Sequence, residues 1–175
     1  LFAVTAMASA SAAWGAAGEQ LRGRTFSSAT LANYEARKAS SKACVKPEAF
    51  ASLSTLPRGV VLNEFILGPN ILQRTPHAAM SAPYHRNSAG LMTMITAMRS
   101  SADAAKSIVM QTPANYVLVC AALPETQFYA KHPAGEATAD TTLASLLANG
   151  TPPDWLAPEP LANTPLKLYR IIRKD

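Results

Sequence analysis

The stretch Val60-Val61-Leu62-Asn63-Glu64-Phe65, followed by Leu67-Gly68-Pro69-Asn70-Ile71-Leu72-Gln73 and then His77-Ala78-Ala79-Met80-Ser81-Ala82, sets the fold class. Its first part is short and β-branched, with Leu56-Pro57-Arg58-Gly59 as a turn before it, and this predicts a buried strand. The Gly-Pro-Asn segment predicts a turn or short helix, and the last part a second strand. Strand, short helix, strand is a small α/β crossover, which places the two strands parallel.

Working outward, Pro47 to Leu53 reads as a short helix with proline in its first turn. Ser88 to Met98 reads as a helix whose Leu91, Met94, Ile95 and Met98 form one apolar stripe, with the methionines as core filler. Ser101 caps a helix from Ala102 to Gln111 that ends before Pro113. Asn115 to Cys120 is the clearest strand of the chain. Thr141 to Ala148 is a helix stopped by Asn149-Gly150, and Leu166 to Ile172 is a final strand, a candidate for antiparallel pairing. The expected fold is α/β, a small mostly parallel sheet flanked by helices, over residues 44–175. A helical connector, residues 19–43, precedes it.

Residues 1–18, LFAVTAMASASAAWGAAG, contain no charge. They read as the apolar end of a transmembrane helix, with Trp14 near the interface and the first charge at Glu19. A signal-peptide remnant with a small-residue cleavage site at Ala8-Ser9-Ala10 or Ala10-Ser11-Ala12 is the alternative, and an Ala-rich buried helix the plainer one.

With 175 residues, the chain has room for one domain with a real core, and its charged fraction of 15% is low for a globular protein. Its net charge of +5 is concentrated in Arg22–Lys46 and Lys167–Lys174. Basic residues at irregular spacing with few aromatics between them argue against nucleic acid and suit a solvated face or an anionic lipid surface. No metal-finger, phosphate-loop or dinucleotide motif occurs. His77 and His85 lack ligand spacing, so neither a metal nor a cofactor is expected. His132 reads as a surface residue.

The two cysteines, Cys44 and Cys120, lack a CxxC spacing. In an extracytoplasmic domain they are candidates for a disulfide stabilising by up to roughly 4–5 kcal/mol, and otherwise for unrelated thiols. Polar residues concentrate at Asn63, Glu64, Arg74, His77, Tyr84, His85, Arg86 and Asn87. If the strands are parallel, Glu64 and the loop Pro83–Asn87 leave the sheet at carboxyl ends, where open α/β sheets bind ligands. Glu64, Tyr84, His85, Arg86 and Asn87 are therefore the candidate ligand-binding set for a small anion or sugar. The competing reading has His85 and Arg86 tying the loop to backbone carbonyls and Glu64. A nucleophile is poorly supported, since Ser81 and Ser88 lie outside any GxSxG elbow. A hydrolase using His85 is the third function considered.

The strings Val61–His77, Ala82–Asn87, Tyr116–Cys120, Pro153–Leu156 and Leu168–Ile171 resemble the extracytoplasmic C-terminal domain of bacterial polytopic membrane proteins similar to GT-C class glycosyltransferases. The resemblance covers roughly residues 40–172. It implies a periplasmic accessory domain at the bacterial inner membrane, whose main partner is the membrane-embedded remainder of the same protein. It also implies a lipid-linked sugar or anionic lipid as ligand, with any sugar transfer performed by the membrane part. An exported, freestanding binding module for a sugar or anion is the alternative.

Overall fold

The structure is a computed structural model that describes residues 28–84 and 87–173. The chain divides into two compact units, residues 1–36 and 37–175. The segment 1–18, read above as a transmembrane or signal segment, lies outside the described residues, as do 19–27, His85 and Arg86. Among the described residues no helix is long and apolar enough to cross a membrane.

Helix α1 runs Ser28–Ala43. It has no buried residue, as its polar, Ala- and Ser-rich sequence dictates. The remaining elements belong to the second unit. Two 3-10 turns, Pro47–Phe50 and Leu53–Thr55, lead to strand β1, Val60–Asn63. A third 3-10 turn, Phe65–Leu67, opens into helix α2, Gly68–Arg74, and then β2, Ala78–Ala79. Helices α3, Ser88–Arg99, and α4, Ala102–Val109, precede β3, Tyr116–Val119. Helices α5, Pro124–Lys131, and α6, Leu143–Asn149, precede β4, Leu156–Glu159, and β5, Lys167–Ile171.

The five strands form one mixed sheet in the order β2-β1-β3-β5-β4. β1 pairs in parallel with β2 and with β3, Leu62 standing opposite Val117. β3 pairs antiparallel with β5, and β5 antiparallel with β4. The fold is thus α/β, with a parallel half built from the crossover that the sequence predicts and an antiparallel half closed by the C-terminal strands. β4 and α5 are additions that sequence reading leaves out.

Alternation along β1 and β3 sends successive side chains to opposite faces of the sheet. Leu62, Val117 and Val119 join Met94, Met98, Val109 and Leu147 from α3, α4 and α6 in one core. Val61, Tyr116 and Leu118 join Phe50, Leu53, Ile71 and the two cysteines in another. All four residues of β3 are buried, as a central strand covered on both faces requires.

Two glycines are fixed by geometry. A Cβ on Gly68 would collide with the Ser81 carbonyl oxygen and lie 2.7 Å from the Ala82 Cβ, so the start of α2 can approach the chain beyond β2 only without a side chain. Gly150, at φ 78°, closes α6 in the left-handed conformation, while at the other end the Thr142 hydroxyl accepts the Ser145 N–H at 3.1 Å. His77 is structural: its Nδ1 accepts the Gly59 N–H at 3.1 Å and its Nε2 bonds the Leu53 carbonyl at 2.9 Å. With Nδ1 accepting, Nε2 carries the proton and the ring is neutral.

Candidate functional site

After β1 the chain turns towards β2, whereas after β3 it runs through α5 and α6 towards β4 and β5, on the other side of the sheet. The carboxyl ends of β1 and β3 therefore part company at a topological switch point, the position at which open α/β sheets bind ligands. Glu64 directly follows β1 and Cys120 directly follows β3, so their neighbourhood is the first place to look for chemistry.

Glu64 is 1% exposed. Its Oε2 accepts the Cys120 N–H at 2.9 Å, and its Oε1 meets the Thr126 hydroxyl. That hydroxyl also lies 2.7 Å from the Cys120 carbonyl oxygen. A hydroxyl has one proton, and two acceptors compete for it if Glu64 is ionised. If Glu64 carries its own proton, the arrangement closes: the acid donates to Thr126, Thr126 donates to the Cys120 carbonyl, and Cys120 N–H donates to Glu64. Burial holds the Glu64 pKa well above its ordinary value of 4.5, the Cys120 N–H working in the opposite direction and the nearby Glu125 carboxylate adding to the rise. Burial and this hydrogen-bond pattern both favour the protonated form of Glu64, which joins the ends of β1 and β3 with both oxygens occupied by the protein.

Glu125, in the first turn of α5, does the same for the segment beyond β1. Its Oε1 accepts the Phe65 N–H at 2.8 Å and its Oε2 the Ile66 N–H at 3.3 Å. The Tyr129 hydroxyl, one turn along α5, donates to Oε1 at 2.9 Å. Burial pushes the Tyr129 phenol up, and the Glu125 carboxylate raises it further, so it stays a donor. The disulfide Cys44–Cys120 adds a covalent tie, with Cα atoms 6.2 Å apart, between the residue after α1 and the residue after β3.

Above this tied junction lies an apolar groove of about 790 Å³. Phe65 and Ile66 form one side, Leu91 and Ile95 of α3 another, and Phe128 and Tyr129 of α5 a third, with Ser41 also on the lining. Phe128 and Ile66 are 52% and 46% exposed, which leaves the lining open to solvent. Among the described residues Glu125 is the charged group on the lining, and Phe65, Ile66 and Tyr129 already use its oxygens. A cleft of about 360 Å³ adjoins the groove, sharing Phe65 and Leu91 with it, and adds Tyr84, Asn87 and Ser88. The volumes fall within the range of small-molecule sites.

Of the residues expected from sequence, Glu64 sits beneath the groove within the protein's own hydrogen bonds. Tyr84 is exposed and lines the cleft, and Asn87 lines it while donating from Nδ2 to the Met80 carbonyl at 3.0 Å. His85 and Arg86 lie outside the described residues. Sequence reasoning missed Glu125, Thr126 and Tyr129 entirely. Their signal was present: Leu123-Pro124-Glu125-Thr126 places proline at the first helical position and an acid in the first turn, a standard helix start. Among the described residues no group of three or more His, Cys, Asp or Glu side chains could hold a metal ion. Compared with models of known protein families and with curated proteins, the chain matches none of them.

Proposed function

We propose that this domain is a binding module for an amphiphile, the hydrocarbon chain lying in the groove of Phe65, Leu91, Ile95 and Phe128 and the polar head in the adjoining cleft of Tyr84 and Asn87. The observation that supports it is the chemistry of the groove lining. Its charged group and the donors beside it bond one another, so the surface offered to a ligand is apolar, and an apolar chain matches it without leaving a polar group unpaired. The head then falls beside the loop that includes His85 and Arg86 in sequence, the residues expected to meet an anion or sugar.

A buried disulfide suits an oxidising compartment. Taken with the resemblance to membrane glycosyltransferase C-terminal domains, the reading becomes a periplasmic accessory domain that holds a lipid-linked sugar or an anionic lipid for a membrane-embedded partner region. A freestanding module for a small sugar or anion is the second reading, favoured by the Tyr84–Asn87 cleft standing as a cavity in its own right.

The test is fluorescence titration with N-phenyl-1-naphthylamine, followed by competition with dodecyl phosphate, dodecanol and inorganic phosphate. Both dodecyl compounds displace the dye, at a dissociation constant on the order of 10–100 µM. Leu91→Asp abolishes displacement, whereas Met92→Asp, at a 58% exposed position of the same helix, leaves it unchanged. Absence of dye binding, or equal effects of the two substitutions, refutes the groove. Binding of inorganic phosphate as tight as that of dodecyl phosphate favours the second reading.

A further inference from the structure

Among the described residues, large exposed apolar side chains gather around the opening shared by the groove and its cleft. Ile66 and Phe128, 46% and 52% exposed, stand on the groove lining, and Tyr84, 56% exposed, on that of the cleft. Met92, 58% exposed, stands on α3, the helix whose Leu91 lines both. We propose that this face docks onto an anionic lipid bilayer, from which the groove takes its amphiphile directly. The inference rests on the function proposed above and names the partner of that same site.

Two observations carry it. The first is the position of Met92. It lies one residue after Leu91 and three before Ile95, so the helical repeat sets it beside the groove-lining stripe on the solvent side, and it lines neither cavity. A ligand in the groove leaves Met92 in water, whereas a surface pressed against the opening covers it. The second is charge. Lys131 follows Phe128 by three residues on α5, Arg99 follows Ile95 by four on α3, and Lys42 follows the lining residue Ser41, which sets all three near the rim. Lys42 and Lys131 are exposed, and neither side chain has a hydrogen-bond or ion-pair partner among the described residues. The acid on the lining, Glu125, is turned to the N–H groups of Phe65 and Ile66 and to the Tyr129 hydroxyl.

An apolar centre with basic residues beside it is complementary to a bilayer surface, where acyl chains lie beneath anionic headgroups. The ligand proposed for the groove selects the same occupant. A hydrocarbon chain that crosses water between a bilayer and a groove exposes every methylene on the way, and an opening seated on the bilayer avoids that exposure. Ile66, Phe128 and Met92 then enter the headgroup region while the lysines meet the phosphates.

The test needs a local probe, because the uncharged segment 1–18 gives the whole chain a second route to a bilayer. Acrylodan is attached to Met92→Cys and, for reference, to Ile172→Cys, which follows β5 at the end of the sheet where β3 begins; the native cysteines are paired with each other. With vesicles of equal parts phosphatidylglycerol and phosphatidylcholine, emission from position 92 shifts to the blue and emission from position 172 stays. Phosphatidylcholine alone gives a smaller shift. Lys131→Gln in the labelled Met92→Cys chain weakens the vesicle titration about fivefold, the effect of one lysine at an anionic surface. Dye displacement by dodecyl phosphate persists in Met92→Asp, so the groove and the docking face are read separately. An unshifted probe at 92, equal shifts at 92 and 172, or an unchanged titration in Lys131→Gln overturns the proposal and leaves the groove standing. A shift at 92 that needs no vesicles and grows with protein concentration assigns the face to a second copy of the chain and overturns it as well.

Discussion

Glu64→Gln is expected to make the protein more stable at neutral pH and to remove a pH dependence that the native chain has. A buried acid whose folded pKa lies above its unfolded one contributes its full stability when protonated, below the unfolded value near 4.5, and loses it as pH rises towards the folded pKa. Across that window the native protein loses about 1.4 kcal/mol of unfolding free energy per pH unit relative to a variant that does not titrate there. Glutamine is such a variant and nearly isosteric with the neutral acid. Its carbonyl oxygen accepts the Cys120 N–H and its amide donates to the Thr126 oxygen, as the protonated carboxyl does. Glu64→Ala separates the hydrogen-bonding contribution from the ionisation. It leaves the Cys120 N–H unsatisfied in a buried setting and a small cavity, at a cost of about 2–4 kcal/mol that changes with pH in the same sense as Glu64→Gln does. The assay is urea unfolding followed by circular dichroism at pH 4.5, 5.5, 6.5 and 7.5. A Glu64→Gln difference from the native chain that stays constant over that range refutes the neutral-acid argument, and one that grows as pH rises supports it.

Replacing both Cys44 and Cys120 by alanine costs about 4–5 kcal/mol on the chain-entropy account of a bond spanning 76 residues, read as a shift in the urea midpoint, and a loss under about 1 kcal/mol contradicts that account. Gly68→Ala destabilises by about 2 kcal/mol or more, since its Cβ meets the Ser81 carbonyl and the Ala82 side chain, and a thermal midpoint within a degree of the native one shows that the two segments can move apart. Gly150→Ala, strained at φ 78° although its Cβ would meet the Lys167 Nζ only at an ordinary contact distance of 3.6 Å, costs about 1 kcal/mol by the same measurement.

The parallel half of the fold was legible because its signals are local and strong. Val60–Asn63 and Tyr116–Val119 are dense in β-branched and aromatic residues, and Gly68-Pro69 marks the start of the crossover helix. β2 was placed within a longer run, His77–Ala82, of which only Ala78–Ala79 pairs; His77 is diverted to bonds with Gly59 and Leu53, and Asn63 takes up the Ser81 carbonyl through its side chain at 2.7 Å. β4 went unread because Leu156-Ala157-Pro158-Glu159 has the composition of a loop. It is an edge strand, where proline is tolerated and pairing is supplied by β5. The disulfide was readable as a candidate, Cys44 with Cys120, but the geometry that forms it was not. Its partners meet because α1 ends beside the end of β3, a proximity that no spacing in the sequence encodes.

The candidate site was half legible for a physical reason that also bears on its role. Strand ends in a parallel sheet leave backbone groups unpaired, and a polar residue at such an end has two uses: to meet a ligand, or to pair those groups. Composition shows the residue and not the use. At Glu64 the second use prevails, since the Cys120 N–H and the Thr126 hydroxyl take both oxygens, and at Glu125 it prevails again, with the N–H groups of Phe65 and Ile66. Cys120 is the point where these ties converge: its N–H goes to Glu64, its carbonyl to Thr126 and its sulfur to Cys44. Each polar group that holds the junction together is one fewer for a ligand, so the surface left above it is apolar. The same internal pairing that argues against Glu64 as a ligand-binding acid therefore argues for a hydrocarbon chain in the groove over it.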